Sequence, residues 1–233
     1  MPAVVSKYQI ITLSFLQTLN NYFYFFFIIS LILSSCCQED SQFLPKNGDL
    51  LFQDLDSSPL CDAIELVTIG YEGKHFSHVG IVTIKNNKHY VLEAFANGVD
   101  TIPLSIFLNR SVNKKNKPKI IVGRLNEEHS QIIENALKIG LNLVGLQYDE
   151  EFKINNNKYY CSELIYEIFF LANNKKPLFE LEPMTYKLNN KTLDIWVDYF
   201  EKLNIDIPEN EPGINPGAIS LSNKINIIYN YEM

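Results

Sequence analysis

The stretch from His78 to Phe95 constrains the fold more than any other part of this sequence. Two runs rich in β-branched and aromatic residues flank the tetrapeptide Lys85-Asn86-Asn87-Lys88. Asn tolerates the left-handed conformation that a two-residue hairpin turn requires, so this pattern predicts a β-hairpin. With Asn86 and Asn87 in the turn, the predicted ladder pairs Lys85 with Lys88, Ile84 with His89, Val82 with Val91, Gly80 with Glu93 and His78 with Phe95.

This register selects a partner for His78. Side chains alternate between the two faces of a strand, so His78, Gly80 and Glu93 share one face, and Glu93 is the diagonal neighbour of His78. Gly80 is expected to leave open space between them. His89 points to the same face but lies roughly 20 Å further along the hairpin, beyond hydrogen-bond reach. A register slip of one residue would overturn the assignment.

A cysteine begins a predicted helix elsewhere in the chain. Apolar residues recur with helical spacing after Tyr160, at Cys161, Leu164, Ile165, Ile168, Phe169 and Ala172. The helix dipole and a nearby imidazolium both favour the thiolate, which is the nucleophilic form of cysteine. We therefore interpret Cys161 as nucleophile, His78 as base and Glu93 as the residue that orients His78. The Cys161 N–H could donate to a developing oxyanion, and these parts suit acyl transfer.

Other residues offer alternative interpretations. Cys61 is a rival nucleophile with His75 as its base, although its place between Leu60 and Ile64 favours a structural role. Tyr148 and Tyr160 either line the substrate pocket or fill space. The four histidines are scattered, and no Cys-x-x-Cys or His-Glu-x-x-His spacing occurs, so neither a metal nor another cofactor is expected.

The N-terminal segment differs from the rest of the chain. Lys7 is its only charged residue before Cys36, and residues 22–33 are apolar or aromatic except for Ser30. The sequence Leu-Ser-Ser-Cys that ends at Cys36 resembles the lipobox of bacterial lipoproteins. The resemblance implies a signal peptide at residues 1–35, a lipid anchor on Cys36 and a tether at residues 36–47. The alternative is an uncleaved membrane span over about residues 10–33. Both place the domain outside the cytoplasm, tethered to a membrane in the cell envelope.

Charge and cysteine content narrow the function classes. The 233-residue chain has a formal net charge of −7, so nucleic acid is not an expected partner. With Cys36 lipidated, three cysteines remain, and an odd number argues against a disulfide framework in an oxidising compartment. A bridge between Cys37 and Cys61 stays open.

The remaining sequence predicts a single domain over residues 48–233. It predicts strands at Gly48–Gln53 and Ile120–Arg124 and a helix or loop over Ile102–Leu108. Helices are predicted to start at Ser57-Ser58-Pro59, to run from Glu127 to about Leu143 with Asn126 as the cap, and to lie around Leu193–Leu203. The tail, which contains Pro208, Pro212 and Pro216, is predicted to be irregular.

The order of the short motifs resembles a known family. The segments are Gly48–Phe52, His78–Val82, Val91–Ala94, Gly145–Asp149, Tyr160–Tyr166 and Pro208–Gly217. Together they look like the YiiX/YebB-like permuted papain-like cysteine hydrolases of the NlpC superfamily. In papain-like enzymes the cysteine comes first, whereas here it follows the base, as a circular permutation requires.

The resemblance implies an α+β papain-like fold, in which an antiparallel sheet or partial barrel packs against helices. It also implies roles for Cys161, His78 and Glu93 in peptidase or amidase chemistry on a small peptide or amide substrate, with cell-wall fragments as the natural candidates. Related permuted enzymes that act on lipid esters use a histidine where this chain has Glu93, which favours the amidase branch. Acyl transfer on lipid esters and a non-catalytic binding lipoprotein remain alternatives.

Overall fold

A computed structural model describes residues 43–233 of the chain. The predicted signal peptide, Cys36, Cys37 and most of the predicted tether lie outside the described residues. Residues 44–233 form one compact unit. Over residues 43–233, no helix combines the length and the apolar character needed to cross a bilayer.

A six-stranded antiparallel sheet is the central element of residues 44–233. Its strands are β1 (Leu50–Gln53), β2 (His78–Lys85), β3 (Lys88–Phe95), β4 (Gly98–Pro103), β5 (Ile120–Leu125) and β10 (Ile225–Asn230). Their order across the sheet is β10-β5-β1-β2-β3-β4. Four two-residue strands form separate ribbons: β6 (Glu182–Pro183) pairs with β9 (Pro212–Gly213), and β7 (Lys187–Leu188) pairs with β8 (Lys191–Thr192).

Helices connect and cover these strands. They are α1 (Pro59–Val67), α2 (Leu104–Asn109), α3 (Ile133–Asn142), α4 (Cys161–Ala172), α5 (Asp194–Leu203) and α6 (Pro216–Leu221), with single 3₁₀ segments at Tyr71–Gly73 and Glu127–Ile132. The central helix α4 packs against β2, β3 and α3. Its predicted apolar face is buried, and Leu164, Ile165, Ile168 and Phe169 have no exposed surface. This α+β arrangement agrees with the predicted fold class.

The hairpin of β2 and β3 has the predicted turn and register. Asn86 and Asn87 adopt φ angles of 51° and 59°, the left-handed conformation that the turn requires. Lys85 pairs with Lys88, Ile84 with His89 and Val82 with Val91. The register that places His78 and Glu93 on one face is therefore confirmed.

Local chemistry explains where two of the helices begin. At α1 the Ser58 hydroxyl accepts a hydrogen bond from the Cys61 N–H at 3.4 Å, and Pro59 occupies the first turn, as predicted. Asn126 occupies the predicted N-cap position before Glu127, but without the expected capping bond. Its side chain does not cap the following segment, which starts as a 3₁₀ turn. Instead its amide donates to the Asn223 carbonyl at 2.7 Å and ties the end of β5 to the C-terminal region.

Two further expectations are corrected. Ile102 lies in β4, and the helix that follows begins only at Leu104. The C-terminal tail is regular over about half of its length, because β9, α6 and β10 all belong to it. Strand β10 pairs with β5 and forms one edge of the main sheet. The prolines of the tail led to the expectation of irregular structure. Pro216 instead begins α6, where its missing N–H costs no hydrogen bond.

Candidate active site

His78 and Glu93 meet on one face of the sheet. Nε2 of His78 lies 2.6 Å from Oε2 of Glu93, and both residues are buried. The expectation that Gly80 leaves open space beside them is wrong. A Cβ atom at Gly80 would overlap Cγ1 of Val91 and lie 3.2 Å from Cε2 of Phe107. The pair therefore lies against a filled, close-packed wall.

Cys161 is the first residue of α4, as the sequence predicts. Its preceding residue, Tyr160, is extended, with φ −88° and ψ 169°, so the chain enters the helix at the cysteine. The thiol donates to the Ser77 carbonyl oxygen at 4.0 Å, and its interaction with the neighbouring His78 ring raises the pKa of that ring. Because Nε2 of His78 is bonded to Glu93, Nδ1 is the ring nitrogen left for the sulfur. The structure thus brings Cys161, His78 and Glu93 together in one cluster.

Electrostatics favour the charged forms of His78 and Glu93. Burial lowers the pKa of His78, but hydrogen bonds to Cys161 and Glu93 outweigh it and raise the pKa from 6.5 to about 9. Burial also raises the pKa of Glu93, and the hydrogen bonds from His78 and Arg110 outweigh that effect, bringing the pKa to about 2. At neutral pH the site therefore holds an imidazolium between the ionised Glu93 and the Cys161 sulfur.

Arg110 is a site residue that sequence reasoning missed. Its two terminal nitrogens donate to the two carboxylate oxygens of Glu93 at 2.8 and 2.6 Å, a bidentate pair. The guanidinium carbon lies 4.3 Å from the centre of the Phe95 ring. Arg110 directly follows α2, a segment that carries no signal of polar function. Its role depends on how α2 packs against β3, which the sequence does not reveal.

Two aromatic rings hold the basic partners in place. The centre of the His78 ring lies 5.2 Å from that of Phe95 and 5.7 Å from that of Phe107. Both rings also contact the Arg110 guanidinium. Phe95 and Phe107 therefore pack against both His78 and Arg110 and lower the polarity around the charge network, which strengthens its hydrogen bonds.

A cavity of about 210 Å³ opens at Cys161. Tyr148 and Tyr160 line it, as do the aromatic residues Phe152, Tyr186 and Trp196. The ionisable side chains on its walls, apart from cysteine and tyrosine, are the exposed carboxylates of Glu180 and Glu182. The cavity therefore combines an aromatic wall with a negatively charged rim.

The rival pair does not form a comparable cluster. Sγ of Cys61 lies 3.3 Å from the Ser57 hydroxyl, and Nδ1 of His75 lies 2.6 Å from the Glu65 carbonyl oxygen. These contacts are local hydrogen bonds that stabilise α1 and its surroundings. The structure thus gives Cys61 a partner set typical of a structural thiol.

Comparison with known proteins places this geometry in a family. Residues 44–229 match the sequence model of the permuted papain-like amidase enzymes, the YaeF/YiiX or C92 family. The chain belongs to this family. The predicted resemblance and the predicted papain-like fold are therefore confirmed, and the family supports a papain-like cysteine hydrolase of the amidase type.

Two relatives extend the comparison. The uncharacterised protein YiiX of Escherichia coli K12 is 26% identical over 175 residues, which cover 75% of this chain and 81% of that protein. The crystal structure of the metalloprotein yiiX from Escherichia coli O157:H7 is similar with a TM-score of 0.64 and 25% identity. It covers 81% of this chain and 98% of the other. In residues 43–233 of the present chain, no group of three His, Cys, Asp or Glu side chains is arranged to hold a metal ion.

Proposed function

We propose that this protein is a cysteine amidase that cleaves an amide or peptide bond through a thioester intermediate. The observation that carries the proposal is the buried contact between His78 and Glu93, with Cys161 near enough to the imidazole to raise its pKa. A nucleophile, its base and the residue that orients the base are the three parts that such chemistry needs.

Each group has a role in the proposed reaction. The Cys161 thiolate attacks the substrate carbonyl carbon, and the carbonyl oxygen takes the negative charge. The Cys161 N–H, in the first turn of α4 where N–H groups have no intrahelical acceptor, donates to that oxyanion. The C–N bond then breaks, and the His78 imidazolium gives its proton to the leaving amine. The product of this step is a thioester on Cys161.

Hydrolysis reverses the proton transfer. Neutral His78 takes a proton from a water molecule as the water attacks the thioester carbonyl. The C–S bond breaks, the acid leaves, and the thiolate and imidazolium are restored. Glu93 stays ionised throughout and fixes the ring, while Arg110 fixes Glu93.

Thiol labelling followed by mass spectrometry tests the assignment. Iodoacetamide should modify Cys161 rapidly near pH 7, and His78→Ala should slow the reaction at least tenfold because the imidazolium that favours the thiolate is gone. Cys61→Ala, the matched control, should leave the rate unchanged. Preferential labelling of Cys61, or a His78→Ala variant as reactive as the wild type, would contradict the assignment.

The anchor and the substrate class form the second part of the proposal. A lipid on Cys36 would hold the domain at a bacterial membrane outside the cytoplasm, where cell-wall peptides are available amides. The carboxylates of Glu180 and Glu182 at the cavity rim support a peptide with a free amino group over one with a free carboxylate. Cys36→Ala should abolish incorporation of a labelled fatty acid in a bacterial host. Continued acylation of that variant would refute the anchor.

The aromatic wall supports a second candidate, acyl transfer on lipid esters. Phe152, Tyr186 and Trp196 would suit an acyl chain as well as an apolar peptide side chain. Intact-mass spectrometry distinguishes the two, because an ester of a long-chain acid would leave that acid as a thioester on Cys161. An amidase would form the corresponding adduct from a peptide amide and none from the lipid ester.

A further inference from the structure

The residues on either side of Cys161 bind the same distant residue. The Ile214 N–H donates to the Tyr160 hydroxyl oxygen at 3.2 Å, and the Ile214 carbonyl accepts from the Ser162 hydroxyl at 2.9 Å. All three residues are buried. The segment that contains Ile214 is therefore fixed in position relative to the proposed nucleophile.

Ile214 extends a two-stranded ribbon that we define as Glu182–Met184 with Pro212–Ile214. Glu182 pairs with Gly213 and Pro183 with Pro212. Next to this pairing, Met184 N–H donates to the Glu211 carbonyl at 2.9 Å. The Met184 side chain occupies the space that a Cβ atom at Gly213 would need. The two arms of the ribbon are thus packed against each other and should move as one unit.

The ribbon forms one wall of the cavity at Cys161. Glu182, Pro183, Met184, Gly213 and Ile214 all line it. The proposed catalytic groups other than Cys161 lie on different elements, since His78 is on β2, Glu93 on β3 and Arg110 beyond α2. The ribbon can therefore affect which substrate fits without itself supplying a reacting group.

We infer that the ribbon is the specificity wall of the amidase and that the Tyr160 and Ser162 hydroxyls are positioning groups that hold it in register with Cys161. The inference rests on the proposed function. Met184 and Ile214 are apolar, so the wall selects amides with an apolar side chain next to the scissile bond. The exposed Glu182 marks its outer edge.

Two peptidyl chloromethyl ketones provide the test, one with phenylalanine and one with glycine next to the reactive carbon. Each alkylates a cysteine by displacing chloride, so labelling of Cys161 reports recognition and reactivity together. Wild-type protein should prefer the phenylalanine reagent. Ser162→Ala and Tyr160→Phe each remove one hydrogen bond to Ile214. Each should lower the ratio of the two rates by about two- to tenfold, the effect of one net hydrogen bond.

Two further variants make the test decisive. Ser130→Ala removes an exposed hydroxyl that bonds the Glu127 carbonyl far from the cavity, and it should keep the wild-type ratio. Met184→Ala shortens the wall without touching either hydroxyl, and it should lower the ratio even where Ser162→Ala fails to fold. Circular dichroism identifies the folded variants.

The outcomes separate this inference from the proposed function. Wild-type protein that reacts with both reagents, and folded variants that keep its ratio, would overturn the specificity wall alone. Equal losses with both reagents would also overturn it, because the hydroxyls would then position Cys161 and not the wall. Wild-type protein that reacts with neither reagent would overturn the proposed function and this inference with it.

Discussion

Replacing Glu93 with Gln tests the charge network directly. Oε2 of Glu93 accepts bonds from both His78 and Arg110, and Oε1 accepts one more from Arg110. Gln has nearly the same shape but offers one acceptor oxygen and one NH₂ donor. Whichever way the amide turns, a donor faces another donor, and the buried negative charge is lost.

The size of the effect follows from the pKa of His78. A rise from 6.5 to about 9 corresponds to about 3 kcal/mol of preference for the imidazolium, net of the opposing burial. Without the carboxylate, burial pulls this pKa back down. Because the contribution of Cys161 remains, we expect the alkaline limb of amide cleavage to move from near pH 9 toward neutral pH, and the rate at pH 8 to fall by up to about tenfold.

Stability should fall as well. Removing one partner of a buried ion pair costs about 3–5 kcal/mol, and the Glu93 and Arg110 side chains are only 3% and 17% exposed. The raised pKa of His78 stabilises the fold fully below pH 6.5 and is lost as pH rises through about 9. The lowered pKa of Glu93 stabilises above pH 4.5 and is lost as pH falls through about 2. The deficit of Glu93→Gln should therefore be largest between about pH 4.5 and 6.5.

Urea denaturation over this pH range measures the loss of unfolding free energy in Glu93→Gln. The pH profile of Cys161 acylation by an activated amide measures the pH at which the rate falls on the alkaline side. At high pH the His78 part of the deficit should disappear while the Arg110 part remains. A variant within 1 kcal/mol of the wild type at pH 5.5, with an unmoved alkaline limb, would refute the argument that Glu93 is ionised and bonded to both cations.

Three other substitutions test the surroundings of the site. Gly80→Ala forces a methyl group against Val91 and should cost about 1–3 kcal/mol of unfolding free energy by denaturant titration. Arg110→Lys keeps the charge but loses the bidentate geometry on Glu93, so unfolding should become easier by about 1–2 kcal/mol; an equally stable variant would contradict the role given to the fork. Burial raises the pKa of Glu163 to about 8. The folded state therefore loses free energy of unfolding as pH rises from 4.5, where the carboxyl ionises in the unfolded chain, to about 8. Glu163→Gln should thus gain stability over the wild type with rising pH up to about 8, as thermal melts in a pH series would show.

The part of the site that the sequence predicts is the part set by local rules. The Asn86-Asn87 turn fixes the register of the hairpin, and the register alone places Glu93 beside His78. The helical spacing after Tyr160 places Cys161 at a helix start without any knowledge of its neighbours. Each of these inferences depends on a few consecutive residues and on a single backbone geometry.

The part that the sequence does not predict depends on packing between distant segments. Arg110 reaches Glu93 because Phe95 and Phe107 hold the guanidinium, and that contact exists only once α2 lies against β3. A lone arginine after a short apolar helix looks like an ordinary surface residue. A buried carboxylate at Glu93 predicts that some cation lies beside it, because an unpaired buried charge is costly. The sequence does not identify Arg110 as that cation.

The C-terminal region shows why an irregular composition is a poor guide to function. Proline and polar residues hide two short strands and a helix whose partners are far away in the sequence. The placement of this region depends on Tyr160 and Ser162, each of which is adjacent to Cys161 and bonded to Ile214. In the proposed mechanism, a helix start that presents the nucleophile and also fixes the specificity wall couples attack to recognition. Substitutions in the wall should for that reason change which amide reacts before they change whether Cys161 reacts at all.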